Sequence, residues 1–462
     1  MKLESLKITN FRGIHDMKLD FRPGINVLVG VNGAGKSTVL DAVSVVLSRV
    51  VSLIRSGKNA GKDIAAYDIS AGKKNVQIQA VIGDQNLRYG WGIEKNLDHS
   101  LKIVRADKVP GIEKNIRELT DQIRDKIQKT DEKCSIPVIV YYQASRVALR
   151  FPRFVHTDRD FSLMSVYQDA LSCRADYRVL LEWFRERQTV EDREFKRLVL
   201  ESQTQTGGET TTRKIVQEYH DLQLQTLRRV WEAFMPEFSN FVIEQNPLRL
   251  EAQKKGGTFR VDQLSDGEKS ILALVGDIAR RLAIANPTLE NPLEGEAIIL
   301  IDEIDLHFHP KRQRMLTPQI LKMFPNCQFI VATHSPQILG HVPAECIFLL
   351  VENEDGVVEL QRPEESLGMT SDEILEDLMQ VPSRAPDEEE KLLHLFELIE
   401  RKKLAEAKAL VDEIRHYRRS EPKLLVADAR ILRLENMKDA KSADSKADSK
   451  EHSKAHSKER KD

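Results

Sequence analysis

The segment GVNGAGKST, residues 30–38, restricts the possible folds of this chain more than any other segment. It fits the phosphate-binding pattern G-x-x-x-x-G-K-[ST] without a mismatch, and it lies between the strand-like INVLV and a helical pattern that opens at Gly35. Gly30, Gly33 and Gly35 allow the tight turn in which backbone N–H groups face a phosphate. The positive end of the helix points at the same anion. The segment therefore predicts a nucleotide-binding strand–loop–helix unit in an α/β domain.

Two side chains of this loop carry the predicted chemistry. Lys36 can reach the β- and γ-phosphate oxygens, and the hydroxyl of Ser37 can ligate Mg²⁺. The predicted cofactors are therefore ATP and Mg²⁺. The residues predicted to contact the nucleotide here are Gly30, Asn32, Gly33, Ala34, Gly35, Lys36, Ser37 and Thr38.

A second motif, AIILIDEID at residues 297–305, places two carboxylates after an apolar run typical of a buried central strand. Ligands of α/β sheets bind at the carboxyl ends of the strands. We expect Asp302 to hold Mg²⁺, directly or through water, and Glu303 to polarise the attacking water. An exposed acidic turn is the alternative interpretation, and the phosphate loop upstream argues against it.

Two further motifs identify the kind of nucleotide-binding protein. LSDGEKS (residues 264–270) precedes the apolar helix ILALVGDIARRLAI, and His334 follows the strand QFIVAT. The chain opens with LKITNFRGI, which contains Arg12. In this order, the motifs resemble those of ABC-type ATPase heads of the SMC, RecF and OLD-like group. The resemblance implies a P-loop NTPase of the α/β class, with an ABC-type head.

The resemblance assigns roles to individual residues. LSDGE resembles the signature LSGGQ, in which Ser265, Gly267 and Glu268 would face the nucleotide, with Asp266 and Glu268 as acidic replacements. An added acid near the γ-phosphate is unfavourable unless it is neutralised. The resemblance also implies that Arg12 is a basic residue near the phosphates and that Gln143 is a Q-loop glutamine that also contacts Mg²⁺. It implies that Asp305 is a D-loop aspartate and His334 a switch histidine. The predicted catalytic residues are Glu303, His334 and Lys36, and the predicted metal ligands are Ser37, Gln143 and Asp302.

The signature of an ABC head faces the nucleotide of the opposite subunit. This chain has one phosphate loop and one signature, so a complete site needs a second copy. The resemblance therefore implies a homodimer, or a larger even-numbered oligomer, that shares its ATP sites.

A closer resemblance extends over about residues 1–430. The segments DQLSDGEKSILALVGDIARRLAIANP, YQDALSCRADYRVLLEWFRERQ and THSPQIL are similar to those of PtuA, the ATPase subunit of Septu antiphage systems, and its retron-associated relatives. That family works with a separate HNH endonuclease subunit, PtuB. The resemblance implies an ATP-controlled regulator and scaffold for a PtuB-like nuclease, with nucleic acid contacted through the complex. The chain itself shows no nuclease motif.

Composition limits the other functions that the chain can have. Its 70 basic and 72 acidic side chains give a net charge of -2, so it has no global attraction for nucleic acid or an anionic membrane. Its four cysteines form no CxxC pair, which fits the reducing cytosol. Its apolar runs are too short to span a bilayer. We therefore expect a cytoplasmic protein without a membrane partner.

Three alternatives remain open at this stage. A RecF/SMC-like DNA-repair ATPase would bind duplex DNA directly, through basic clusters such as residues 401–403 or 415–419, although acids interleave both. A nucleotide-locked structural subunit would barely hydrolyse ATP. His307 and His309 suggest a metal site, but no third ligand stands near, so a structural corner is favoured.

Shifts in composition predict five segments. They are an N-terminal lobe (1–158), a helical hairpin insertion (159–236), a C-terminal lobe of the head (237–362), a helical C-terminal region (363–436) and a disordered tail (437–462).

Overall fold

The computed structural model describes residues 1–97, 102–104, 114–144, 159–171, 177–204, 220–245, 248–354, 356–379, 381, 386–419 and 421–437. Residues 205–219 of the predicted helical insertion lie outside these residues, and so does the predicted tail (437–462) except for Met437. The chain divides into two compact units, Met1–Ile374 and Leu375–Asp462. The larger unit has the predicted mixed α/β fold, which confirms the fold class.

A six-stranded sheet positions the nucleotide-binding motifs. Its strands are ordered β15-β14-β3-β13-β12-β8, and all neighbouring pairs are parallel except β14 and β15. The inner strands are almost wholly buried, as expected for a parallel sheet covered on both faces. The strands are β3 (Ile25–Gly30), β8 (Val138–Tyr142), β12 (Ala297–Ile301), β13 (Cys327–Ala332), β14 (Ile347–Glu352) and β15 (Val358–Gln361).

A second sheet lies on the other side of the helix that follows the phosphate loop. It is largely antiparallel, in the order β2-β1-β4-β5-β6, with β7 paired to β5. The helix, Lys36–Ser56, contacts strands of both sheets and so forms the centre of the core. The strands are β1 (Lys2–Phe11), β2 (Ile14–Asp20), β4 (Asn75–Asp84), β5 (Leu87–Asn96), β6 (Lys102–Val104) and β7 (Lys114–Asn115).

Among the described helices, only Lys36–Ser56 has the length and apolar composition of a membrane span. The most apolar window of this helix is 78% buried inside the fold. Its apolar character is therefore explained by its place between the two sheets.

Helices and a small sheet complete the larger unit. The helices Tyr177–Thr204 and Leu222–Phe234 pack together, and the ring of Trp231 stacks on Phe184 at 5.5 Å. The small sheet is antiparallel and consists of β9 (Ser239–Gln245), β10 (Leu248–Lys254) and β11 (Gly257–Arg260). The other helices of eight or more residues in this unit are Ile116–Lys129, Asp266–Ala285 and Pro310–Met323.

The smaller unit is helical where it is described. The helices Pro386–Glu400, Leu404–Tyr417 and residues 422–437 share one apolar core. Leu395 and Ala427 are fully buried in that core. A positive-φ residue, Lys402 (φ 62°), ends the first helix and allows the tight turn into the second.

Candidate functional site

The phosphate loop connects the carboxyl end of β3 to the helix Lys36–Ser56. Gly33 and Gly35 have φ angles of 90° and 91°, a left-handed conformation that glycine adopts without strain. At Gly30, an added Cβ would lie 2.5 Å from the carbonyl oxygen of Leu350, so no side chain fits there. No side chain caps the first turn of the helix, which leaves its amide groups available to an anion.

Lys36 closes over this loop. Its Nζ donates hydrogen bonds to the carbonyl oxygens of Gly30 (2.9 Å) and Val31 (3.0 Å), and the residue is only 7% exposed. Burial lowers the pKa of Lys36, while the charges of Asp302, Glu303 and Asp305 act in the opposite direction. The ammonium group is therefore held at the loop and lies in the field of the carboxylates after β12.

Those carboxylates lie at the carboxyl end of the central sheet. Asp302 directly follows the buried strand β12, and its backbone N–H donates to the carbonyl oxygen of Tyr142 at 2.8 Å. Tyr142 ends β8, so the next residue, Gln143, lies at the same edge of the sheet. The backbone of Glu303 has a φ of 46°, which turns the chain sharply after Asp302.

His334 reaches the same edge from β13. Burial and the charge of Lys36 lower the pKa of His334, while Asp305, Glu303 and Asp302 oppose that shift. The imidazole is therefore neutral at pH 7, with one N–H donor and one acceptor. The neighbouring Thr333 donates a hydrogen bond through its hydroxyl to Asp305, whose charge also acts on His334.

Arg12 lies beside the phosphate-loop helix and is held by two acids. Its Nη1 donates to Asp41 of that helix at 2.6 Å, and its Nε donates to Asp68 at 2.8 Å. Burial opposes the charged form of Arg12, but its hydrogen bonds to Asp68 and Asp41 outweigh this and raise its pKa. Tyr141 also donates to Asp41, at 3.1 Å. The guanidinium is fixed near the loop, and its contact with phosphate stays a prediction.

The signature residues form the start of the helix Asp266–Ala285. Ser265 is the exposed N-cap, its side chain accepts a hydrogen bond from the N–H of Glu268, and Glu268 reaches back to Ser265 in a capping box. An added Cβ on Gly267 would lie 2.2 Å from the carbonyl oxygen of His307, so this position must be glycine.

The predicted site residues fall into two groups. Lys36, Asp302, Glu303, Asp305 and His334 act on one another electrostatically at one edge of the sheet. The charges that act most on Glu268 are instead those of Arg312 and Lys254. One copy of the chain therefore brings the phosphate loop together with the carboxylates and the histidine, while Ser265 of the signature is exposed at the start of its own helix.

His307 and His309 form no metal site in the structure. His309 caps the helix Pro310–Met323, because its Nδ1 accepts from the N–H of Lys311 at 3.3 Å. Among the described residues, no group of three or more His, Cys, Asp or Glu side chains could hold a metal ion. Mg²⁺ at a phosphate loop needs only one or two protein oxygens besides the phosphates, so the hydroxyl of Ser37 and the carboxylate of Asp302 fit that ion.

Several charged residues that position the predicted site residues are not predicted from the sequence. Asp41 and Asp68 hold Arg12, and Arg312 bridges Glu237 and Glu268. Asp41 shows a weak signal, since it is the one acid in the helix Lys36–Ser56. Arg312 and Asp68 show none, because their partners are far away in sequence.

Two protein-family models match large parts of the chain. A family model described as "AAA domain" matches residues 5–255, which is more than half of the chain. A second model, described as "AAA domain, putative AbiEii toxin, Type IV TA system", matches residues 174–340. The first match spans the phosphate loop, and the second spans the signature and the carboxylates after β12.

Individual relatives agree with these matches. The chain is 29% identical to the Retron Ec83 probable ATPase of Escherichia coli, over 84% of this chain and 78% of that protein. It is 23% identical to the Septu protein PtuA of Bacillus thuringiensis, over 82% of this chain and 84% of that protein. A crystal structure of an Smc head bound to the C-terminal winged-helix domain of ScpA aligns at 16% identity and a TM-score of 0.45, over 79% and 98% of the two chains. The predicted relationship to retron-associated and Septu ATPases is confirmed.

Proposed function

Because the chain belongs to the AAA domain family, we propose that it is an ATPase that binds two Mg-ATP molecules between two copies of itself and uses them to control a partner. The observation that carries this proposal is the assembly at the carboxyl edge of the central sheet. There, Lys36 lies in the joint field of Asp302, Glu303 and Asp305, and so does His334.

Each residue of this assembly has a distinct part in the proposed reaction. Bound Mg²⁺ supplies charge neutralisation of the phosphates. Ser37, Asp302 and Gln143 would hold it through their side-chain oxygen atoms, and Lys36 would bind the β- and γ-phosphates. Glu303 accepts a proton from, or orients, the attacking water. His334 would donate an N–H toward the γ-phosphate, and the neighbouring Thr333 donates a hydrogen bond to Asp305.

The exposed signature supports a dimer. Ser265 caps the exposed N-terminal end of a 20-residue helix, whose dipole favours an anion. A second copy, related by a two-fold axis, would bring this end of the helix to the γ-phosphate of the first copy's nucleotide.

Hydrolysis in this site should depend on Glu303. We expect Glu303→Gln to lower ATP turnover by about 100-fold or more, because the amide is a poor proton acceptor. ATP binding should persist, so that the dimer accumulates with Mg-ATP. Turnover and sedimentation velocity of the same sample measure both effects.

A matched variant separates this effect from a general loss of charge. Glu290→Gln changes an exposed acid near β12 and should turn over ATP like the wild type. If Glu303→Gln turns over ATP at the wild-type rate, Glu303 has no role in activating water.

We propose that the partner is a separate HNH endonuclease subunit, and that the pair acts in antiphage defence in the cytoplasm. The named relatives, a retron ATPase and Septu PtuA, support this role.

Co-expression with the product of an adjacent HNH gene tests this partnership. We expect the two proteins to co-purify, the complex to cleave nucleic acid, and the ATPase alone to cleave none. Metal-dependent cleavage by the isolated ATPase, or the absence of a complex, would contradict the proposal.

Direct DNA binding by the basic clusters of the smaller unit is less well supported. Arg415 pairs with Asp412 and Asp428, and Arg418 pairs with Glu388. Such pairing offsets the positive charge that a phosphate backbone would need.

A further inference from the structure

The signature of this chain carries negative charge where the proposed dimer places a phosphate. Asp266 and Glu268 stand in the first turn of the helix, and Glu237 lies beside them through a shared arginine. Asp266 is mostly exposed, and the nearby Lys269 lies 3.6 Å away. Glu268 is the acid that contacts the signature serine itself. Its charge therefore opposes closure most directly.

Glu268 also accepts the hydrogen bond of the serine hydroxyl that the proposed reaction needs. The hydroxyl of Ser265 donates to Oε2 of Glu268 at 2.7 Å, and the backbone N–H of Ser265 donates to the same oxygen at 3.0 Å. A hydroxyl has one proton, so it cannot donate to Glu268 and to a phosphate oxygen at once. In a single copy of the chain, the carboxylate of Glu268 therefore accepts the hydrogen bond that the partner's γ-phosphate would accept in the dimer.

Arg312 stands on the other side of this carboxylate. Its Nη2 donates to Oε1 of Glu237 at 2.7 Å, and it lies 3.4 Å from Oε1 of Glu268, which is a long contact. Its Nη1 is buried and has no hydrogen-bond partner among the described residues. Arg312 thus contacts two acids through Nη2 and has one further donor nitrogen, Nη1, without a partner among the described residues.

The ionisation of Glu268 is consistent with this geometry. Partial burial alone would raise the pKa of Glu268, but the hydrogen bonds from Ser265 and the charges of Arg312 and Lys254 outweigh it. The pKa lies below its usual value. Glu268 is therefore a carboxylate at neutral pH, and it needs a counter-ion when it loses its hydrogen bonds from Ser265.

We propose that Glu268 is an internal competitor of the partner's γ-phosphate for Ser265, and that Arg312 is the positioning residue that receives Glu268 when the phosphate arrives. This inference rests on the proposed function, in which Ser265 meets the nucleotide of the second copy. The switch consists of a short side-chain movement: the carboxylate lengthens its contact with Ser265 and shortens its 3.4 Å contact with Arg312. Closure then costs less, because the displaced carboxylate is paired.

The position of Arg312 couples the switch to the catalytic carboxylates. Arg312 belongs to the helix Pro310–Met323, which directly follows the segment from Asp302 to His309. The same segment contacts the signature at Gly267 through the carbonyl of His307. A movement of Glu268 toward Arg312 would therefore change contacts at two points close to the turn that carries Glu303: the start of the helix Pro310–Met323 and the carbonyl of His307.

The test measures dimerisation with Mg²⁺ and a non-hydrolysable ATP analogue by sedimentation velocity. We expect Arg312→Gln to weaken the nucleotide-dependent dimer by about tenfold or more, because Glu268 loses its counter-ion. Glu268→Gln should strengthen it by roughly threefold to tenfold, because glutamine keeps the capping box and carries no charge. The double variant should dimerise at least as well as the wild type, and Arg312→Lys should retain most of the wild-type affinity.

Arg314→Gln is the matched control, since Arg314 is an exposed arginine two residues further along the same helix. A purely structural role of Arg312 would leave the double variant as weak as Arg312→Gln, and that result overturns the inference. So does an Arg312→Gln protein that behaves like Arg314→Gln. If Arg312→Gln does not fold, Glu268→Gln decides alone, and a dimer no stronger than wild type overturns the inference. A wild-type protein that never dimerises with nucleotide overturns the proposed function together with this inference.

Discussion

Replacement of Lys36 by alanine is expected to lower the affinity for ATP by about 100-fold or more, because charge-assisted contacts to both terminal phosphates are lost. In the structure, the ammonium group already lies at the loop, held by the carbonyl oxygens of Gly30 and Val31. Alanine leaves the loop glycines in place and removes only the cation. Equilibrium binding of a fluorescent ATP analogue measures the loss, and the proposed antiphage role predicts that cells that carry the variant lose phage protection.

Lys58→Ala provides the control, because Lys58 is an exposed lysine just beyond the end of the same helix. It should bind ATP like the wild type. Thermal melting without nucleotide shows whether Lys36→Ala remains folded. A folded Lys36→Ala protein with wild-type affinity would disprove the assignment of the phosphate loop.

Replacement of Asp277 by alanine should destabilise the larger unit by about 3–5 kcal/mol, because two buried arginines lose their counter-ion. Asp277 is fully buried and accepts hydrogen bonds from Arg280 (2.6 Å), Arg281 (2.8 Å) and Tyr142 (2.7 Å). Burial would raise the pKa of Asp277, but the charges of Arg281 and Arg280 hold it far below its usual value. The expected loss is a large share of the stability of a typical domain.

Urea denaturation followed by circular dichroism measures this loss. Asp16→Ala is the control, because Asp16 lies on the surface of the same unit with its side chain 68% exposed and a long ion pair to Lys7. Its effect should stay within about 0.5 kcal/mol. Equal midpoints for the two variants would show that the cluster around Asp277 does not stabilise the fold.

The motifs that were predictable from sequence are the ones whose residues are close along the chain. The glycine spacing of residues 30–35 and the apolar run before Asp302 follow from local backbone and burial requirements. These signals predicted the loop, the central strand and the place of His334 after the next strand. The parallel sheet then brings their carboxyl ends together.

The remaining features depend on contacts between distant segments. Arg12 is fixed by Asp68, 56 residues away, and Arg312 reaches Glu237, 75 residues away. The hydrophobic periodicity of the sequence does not predict such pairs, because each partner by itself resembles an ordinary surface charge. The sequence of the signature shows an added acid near the predicted phosphate. Arg312, which offsets the charge of Glu268, can be identified only from the fold.

Complementation between two inactive variants tests the central claim, that each ATP site combines Lys36 of one copy with Ser265 of the other. Lys36→Ala and Ser265→Arg should each abolish hydrolysis alone. In a mixture, half of the dimers pair the two variants, and each such dimer contains one intact site. We therefore expect the mixture to recover roughly a quarter of the wild-type ATPase rate. A mixture as inactive as its components would contradict a site shared between two copies.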